Sequence, residues 1–181
     1  MRELTGMTRA GAEAVFAVRR CWYRLRYRRL TIGRDVRFVG RLRLRQGTEL
    51  VLGDRTRIRG RVVVNGGGRV EVGADTLLNG CWIVAGEFVE VGDRCLVSDC
   101  GITDSDFHNA DPELRHLPAL PSTRRAVHVG TNVWLGAHAL VLKGVRIGDD
   151  CLVGAGAVVR HDLPEGVVAT GNPAVVTGKF R

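Results

Sequence analysis

No stretch of this 181-residue chain approaches the roughly 20 consecutive apolar residues of a membrane-spanning helix. The N-terminus also lacks a basic start, apolar centre and small-residue cleavage site in secretory order, so a cytoplasmic protein is expected. The five cysteines (Cys21, Cys81, Cys95, Cys100 and Cys151) include no Cys-x-x-Cys pair, and their number is odd. That argues against a disulfide framework or a clustered zinc site. The final third of the chain follows neither the 3.6-residue period of a helix nor the alternation of a strand.

What it follows is a period of six. Val129, Leu135, Val141, Ile147, Val153 and Val159 recur at that interval, and four of them precede a glycine. Four residues after each stands a small or apolar residue: Val133, Ala139, Val145, Cys151, Ala157 and Leu163. Six residues per face and three faces per coil describe a triangular parallel β-helix, in which every coil buries its apolar side against the next. The beat is looser upstream, in triplets Ile32, Phe38, Leu44; Leu52, Ile58, Val64; and Val72, Leu78, Val84, with Val91 and Val97 opening a fourth. Triplet starts at 32, 52, 72 and 91 give coils of 20, 20 and 19 residues, the excess falling in polar or glycine-rich corners. About six coils at ~4.8 Å each would give a prism about 29 Å long. Cys95 and Cys151 occupy the small slot and read as buried free thiols.

Charge is uneven. Residues 1–61 hold 17 basic and 5 acidic residues, residues 62–181 hold 10 and 14. Such a split suits nucleic acid or an anionic membrane. However, Arg41, Arg43 and Arg45, and then Arg55, Arg57, Arg59 and Arg61, alternate along strands and so read as the outward, solvated wall of the solenoid. No nucleic-acid partner is expected. Between Thr8 and Arg29, Val15, Val18, Trp22 and Leu25 recur at helical spacing among arginines. Residues 1–30 are therefore expected to form a basic amphipathic helix over the open end of the solenoid, with peripheral contact to anionic lipid as a further expectation. The β-helix is expected over 31–176, with a tail at 177–181.

The beat stops after Ile102 and resumes at Val129, leaving a polar insertion at 103–128 with three prolines and with His108 and His116. Solenoids extrude such insertions on one face, often the working one. The string from Val129 through Val159, followed by Asp162-Leu163-Pro164 and Gly171-Asn172-Pro173-Ala174, resembles the hexapeptide-repeat acyltransferases, most of all the maltose/galactoside and capsular-polysaccharide O-acetyltransferases. The likeness is close over about 90–176 and loose over 31–89.

The resemblance implies a left-handed β-helix, a homotrimer with sites between neighbouring prisms, acetyl-CoA as donor and a saccharide as acceptor. Asp104-Ser105-Asp106-Phe107-His108 is similar to the Asp-Ser-Asp-x-His variant of capsular-type members, which makes His108 the base, with Asp104 or Asp106 to orient it or bind acceptor hydroxyls. A sugar hydroxyl must lose its proton as it attacks a thioester, and an imidazole is the natural acceptor near neutral pH. Ser105 stands where the maltose/galactoside group has its histidine, and His116 is the second candidate base. By the same resemblance Trp134, Ala137 and Ala155 line the pantetheine groove, Arg160, His161 and Lys179 meet the phosphates, and Pro173 packs on the adenine. Other readings are transfer to an amine of an amino sugar or antibiotic, and a non-catalytic scaffold. A zinc hydratase on this scaffold needs two histidines five apart, a pair the sequence lacks, and no metal is expected.

Overall fold

A computed structural model describes residues 8–45 and 47–180. After one helix, Arg9–Arg26, the chain winds through short strands that fall in turn on three faces. The first face stacks six parallel strands, from Leu30–Ile32 through Glu49–Leu52, Arg69–Val72, Phe88–Val91 and Val127–Val129 to Arg146–Ile147. The second runs from Arg37–Phe38 to Val167–Thr170, and Val175–Lys179 adds to it antiparallel. The third runs from Arg41–Leu44 to Val158–Val159. This is the expected all-β, left-handed parallel β-helix with an N-terminal helix and an extruded loop, with six full coils and part of a seventh. The tail expected from residue 177 is the latter half of the antiparallel strand.

Register explains the beat. Phe38, Ile58, Leu78, Val97, Leu135 and Val153 stand directly above one another, and all are buried. The predicted third triplet needs one correction. Val64 pairs with Ile83, so Ile83 points into the core and Val84 is only half-buried. The corner between Leu78 and Ile83 is one residue shorter than its counterpart between Ile58 and Val64. Gly80 makes that turn with φ +63°, a conformation open to glycine without strain.

One inward column carries polar atoms. Thr56 and Thr76 donate their hydroxyls to Gly73 O (3.0 Å) and Gly92 O (2.8 Å) of the coil above. Cys95 and Cys151 repeat this with thiols, to Gly130 O (3.1 Å) and Pro164 O (3.0 Å). Outside, aspartates cap corners between coils: Asp54, Asp93 and Asp149 accept from the amides of Arg34, Ala74 and Thr131 at 2.6–2.8 Å.

The helix lies on the open end, held by a face other than the expected one. Phe16 and Tyr23 are buried, Tyr23 with its ring 4.3 Å from that of Phe38. Val18, Trp22 and Leu25, expected to pack inward, are exposed. The reason is that a terminal coil presents unpaired backbone groups as well as apolar surface. Arg19 donates to Phe38 O (2.6 Å), Arg20 to Val36 O (3.1 Å) and Arg24 to Ile32 O (2.9 Å), while Tyr23 Oη accepts from Leu42 N (3.0 Å). Each bond satisfies a group whose burial unpaired would cost about 1–3 kcal/mol, so the arginine side of the helix turns inward.

Four of the five thiols are buried and Cys21, on the helix, is exposed. Burial raises all four, Cys95 to about 11 and Cys100 to about 12. In the unfolded chain they ionise near the ordinary value of 9.0. Their contribution to stability is therefore whole below about pH 9 and shrinks as pH rises toward the folded values. In the native protein Ellman's reagent should titrate one thiol, Cys21, and all five only in denaturant. The urea midpoint should fall above pH 9, less steeply in a Cys95→Thr, Cys151→Thr protein, because Thr56 and Thr76 already supply hydroxyls in that column.

Candidate functional site

The chain leaves the prism at the edge between the third and first faces, over residues 104–126, slightly inside the predicted limits of 103–128. Asp104 roots this loop. It is fully buried, with Oδ1 accepting from Gly86 N (2.7 Å) and Oδ2 from Glu87 N (2.7 Å) and Phe88 N (2.9 Å). Three amides from the coil below consume its carboxylate, so the structure gives Asp104 the role of a corner cap. It neither bonds His108 nor lies open to an acceptor. The two ends of the loop then pair: Ser105 bridges Arg124, Asp106 N donates to Thr123 O (3.1 Å), and Arg125 N to Asp104 O (2.8 Å).

Beyond this neck the loop is organised by Asn109, which the sequence reading did not single out. Its buried side chain donates to Leu114 O (2.8 Å) and Pro118 O (3.2 Å) and accepts from Leu120 N (2.9 Å). One amide thus satisfies groups that have no strand to join. The only hint in the sequence was an asparagine inside a polar, proline-bearing insertion, which is too common a feature to have identified it.

His108 lies between these anchors. Its amide donates to Asp106 O (2.8 Å), and Phe107 before it has φ +65°, with its amide held by Ser105 Oγ (3.1 Å). A left-handed phenylalanine costs energy and persists only where its surroundings impose it. Here it goes with an exposed imidazole beside an exposed Asp106. Asp106 in turn forms an ion pair with Lys143 from the next coil. Arg160 and His161 follow on the same edge two coils up.

The other expected residues are elsewhere. Trp134 faces outward on the second face between Leu96 and Leu152, half exposed, and lines a cleft of about 420 Å³ with Leu152 and Phe180. Lys179 pairs with Val167 on that face. Ala137 and Ala155 are exposed on the edge between the second and third faces, where Gly156 N donates to Ala137 O (2.8 Å), and Pro173 lies exposed at the top of that edge. Within one chain the structure therefore brings His108, Asp106, Arg160 and His161 to one edge and Ala137, Ala155 and Pro173 to another, with Trp134 and Lys179 on the second face.

His116 and His138 are exposed. His128 bonds Glu90 through Nδ1 (2.9 Å) and meets Phe88 edge-on at 5.7 Å. Among the described residues no group of three or more His, Cys, Asp or Glu is placed to hold a metal ion, and no helix is long and apolar enough to cross a membrane.

Comparison with known proteins agrees with this architecture. The family model described as bacterial transferase hexapeptide (six repeats) matches residues 126–161. The galactoside O-acetyltransferase of Lactococcus lactis is 39% identical over 90 residues, 50% of this chain and 42% of that protein. The galactoside O-acetyltransferase of Escherichia coli is 32% identical over 111 residues, 61% of this chain and 54% of its own length. A solved galactoside acetyltransferase in complex with coenzyme A superposes with a TM-score of 0.63 at 26% identity, covering 88% of this chain and 70% of that one. The chain thus carries a hexapeptide-repeat segment and is similar to the sugar O-acetyltransferases, and its matches span about half the length of these curated relatives.

If Asn109 holds the loop, Asn109→Ala should open it without melting the prism. Thermolysin cleavage near Leu114 and Leu117 should speed up by about tenfold, the equivalent of one lost hydrogen bond, while the thermal midpoint moves by no more than a few degrees.

Proposed function

We propose that this protein is a cytoplasmic, homotrimeric O-acetyltransferase that moves an acetyl group from acetyl-CoA to a hydroxyl of a sugar or polysaccharide precursor. The observation that carries this reading is an exposed imidazole, His108, on a loop braced at both ends and overhanging one edge of a hexapeptide-repeat prism. Likeness to galactoside O-acetyltransferases supports the reaction class.

The surface fits the donor. Ala137 and Ala155, with Gly154 and Gly156, place small residues along an edge where an extended arm can approach the backbone. Trp134, Leu152 and Phe180 supply an apolar wall on the adjoining second face. Arg160, His161 and Lys179 offer cationic or hydrogen-bonding groups for phosphates, and Pro173 a flat apolar surface for the base.

The acceptor hydroxyl oxygen attacks the thioester carbonyl carbon as His108 takes the hydroxyl proton. The tetrahedral intermediate then collapses, the carbon–sulfur bond breaks, and the departing thiolate recovers the proton from the imidazolium. Asp106 is the aspartate accessible to acceptor hydroxyls, with Lys143 holding its carboxylate in place. Because His108 and the small-residue edge are on different edges, a working site joins the loop of one protomer to the groove of its neighbour. Outward apolar rows (Leu77, Leu96, Trp134 and Leu152 on the second face; Trp82, Leu140 and Val158 on the third) give such neighbours surface to pack on.

His108→Ala should lower thiol release from acetyl-CoA with a saccharide acceptor by at least about a hundredfold while the oligomer persists. Wild-type rates in that variant would remove His108 from this role, and faster turnover with amino sugars than with their hydroxyl counterparts would make the enzyme an N-acetyltransferase. Mixing subunits of His108→Ala with subunits of a groove-blocked Ala155→Trp protein should restore roughly a quarter of wild-type activity if sites are shared, and none if each site lies within one chain.

A further inference from the structure

Several outward charges of the prism are paired between coils. Arg34 meets Asp54 at 2.7 Å, Arg55 donates to Asp75 at 2.7 Å, and Arg69 lies between Glu49 and Glu71. At the N-terminal end of the third face, by contrast, exposed arginines gather in one cluster. Arg26, Arg28, Arg41, Arg43, Arg45 and Arg61 are all exposed, and none forms an ion pair among the described residues. Parallel register sets Arg41 directly over Arg61. Like charges stacked at strand spacing repel, so this arrangement lowers the stability of the isolated protein.

Beside these cations lies the helix face that the fold left uncovered. Val18, Trp22 and Leu25 are 69%, 55% and 81% exposed and fall on one stripe. Trp22 shares a surface depression with Arg26, Arg41 and Arg43, so the apolar stripe and the arginine cluster form one continuous surface. Arg19, Arg20 and Arg24, by contrast, are engaged with first-coil carbonyls.

We infer that this end of the prism docks on an anionic lipid bilayer, with Trp22, Leu25 and Val18 entering the headgroup boundary and the unpaired arginines of strand Arg41–Leu44 and its neighbours meeting lipid phosphates. The combination is what selects a membrane: a polyanion in solution satisfies the guanidinium groups but leaves the apolar stripe in water, while a lipid interface accepts both. The membrane contact expected from the sequence thereby shifts from the arginines of the helix itself to the wall beside it. This inference stands apart from the acetyl-transfer reading.

The test is flotation of the full-length protein with vesicles of phosphatidylcholine alone and of phosphatidylcholine with one third phosphatidylglycerol. The protein should float with the anionic vesicles only and be released by high salt. Arg41→Ser with Arg43→Ser should weaken binding about 25-fold, at roughly fivefold per arginine. Trp22→Ser with Leu25→Ser should weaken it by about tenfold or more through lost apolar burial. Both pairs are exposed, and unchanged circular dichroism would establish folding. No flotation with either vesicle would overturn the inference. So would flotation that survives the Trp22 and Leu25 changes and is competed away by a soluble sulfated polysaccharide, because the surface would then be a general polyanion site.

Discussion

Coil-to-coil hydrogen bonding in register is the constraint from which the rest of the molecule follows. Along one edge Gly33 N donates to Leu52 O, Gly53 N to Val72 O, Gly73 N to Val91 O, Gly92 N to Val129 O and Gly130 N to Ile147 O, all at 2.7–2.8 Å. The coils pass so closely there that a Cβ on Gly53 would lie 2.6 Å from Ala74 N. A stack of this kind makes every side chain part of a vertical column, so each column repeats one physical choice. The inward Thr/Cys column donates to carbonyls, the aspartate column caps corners, and the aliphatic columns exclude water. Departures from a column are therefore informative, and two of them, the loop at 104–126 and the unpaired arginines, carry the functional readings.

Legibility followed the same division. Phe38, Ile58, Leu78 and the inward residues after them could be read because one pattern repeated through coil after coil. Ile83 was missed because a shortened corner moved the phase by one residue without altering the apolar character of its neighbours. The buried face of the helix was misread for another reason. Hydrophobic periodicity identified Val18, Trp22 and Leu25, but a terminal coil needs donors for its carbonyls as well as apolar cover, and arginine supplies both through its guanidinium and its stem. Features that occur once left no period to detect. Asn109 organises the loop, and Asp104 caps a corner 18 residues back in sequence from its own position, yet nothing local marks either of them.

The site residues divide by the same logic. His108, in the loop, and Arg160 and His161 share one edge because all follow third-face strands. Ala137 and Ala155 share another because both follow second-face strands. The topology separates the two groups by a full face of the prism, and no rotation of side chains can cross it. Loop motion does not bridge that gap either, since the neck at Ser105 and Arg124 and the Asp104 cap tie its base to the edge between the third and first faces. A reaction that needs an imidazole and a groove of small residues within bonding distance of one thioester therefore requires a second prism beside the first. An assembly with the loop of each copy laid along the groove of the next lets every copy contribute both halves, and a closed ring of such contacts leaves no half-site unfilled. Under the proposed acetyl-transfer reading, the outward rows of leucine and tryptophan would belong to the catalytic arrangement, as the surfaces that bring the edges of neighbouring prisms together.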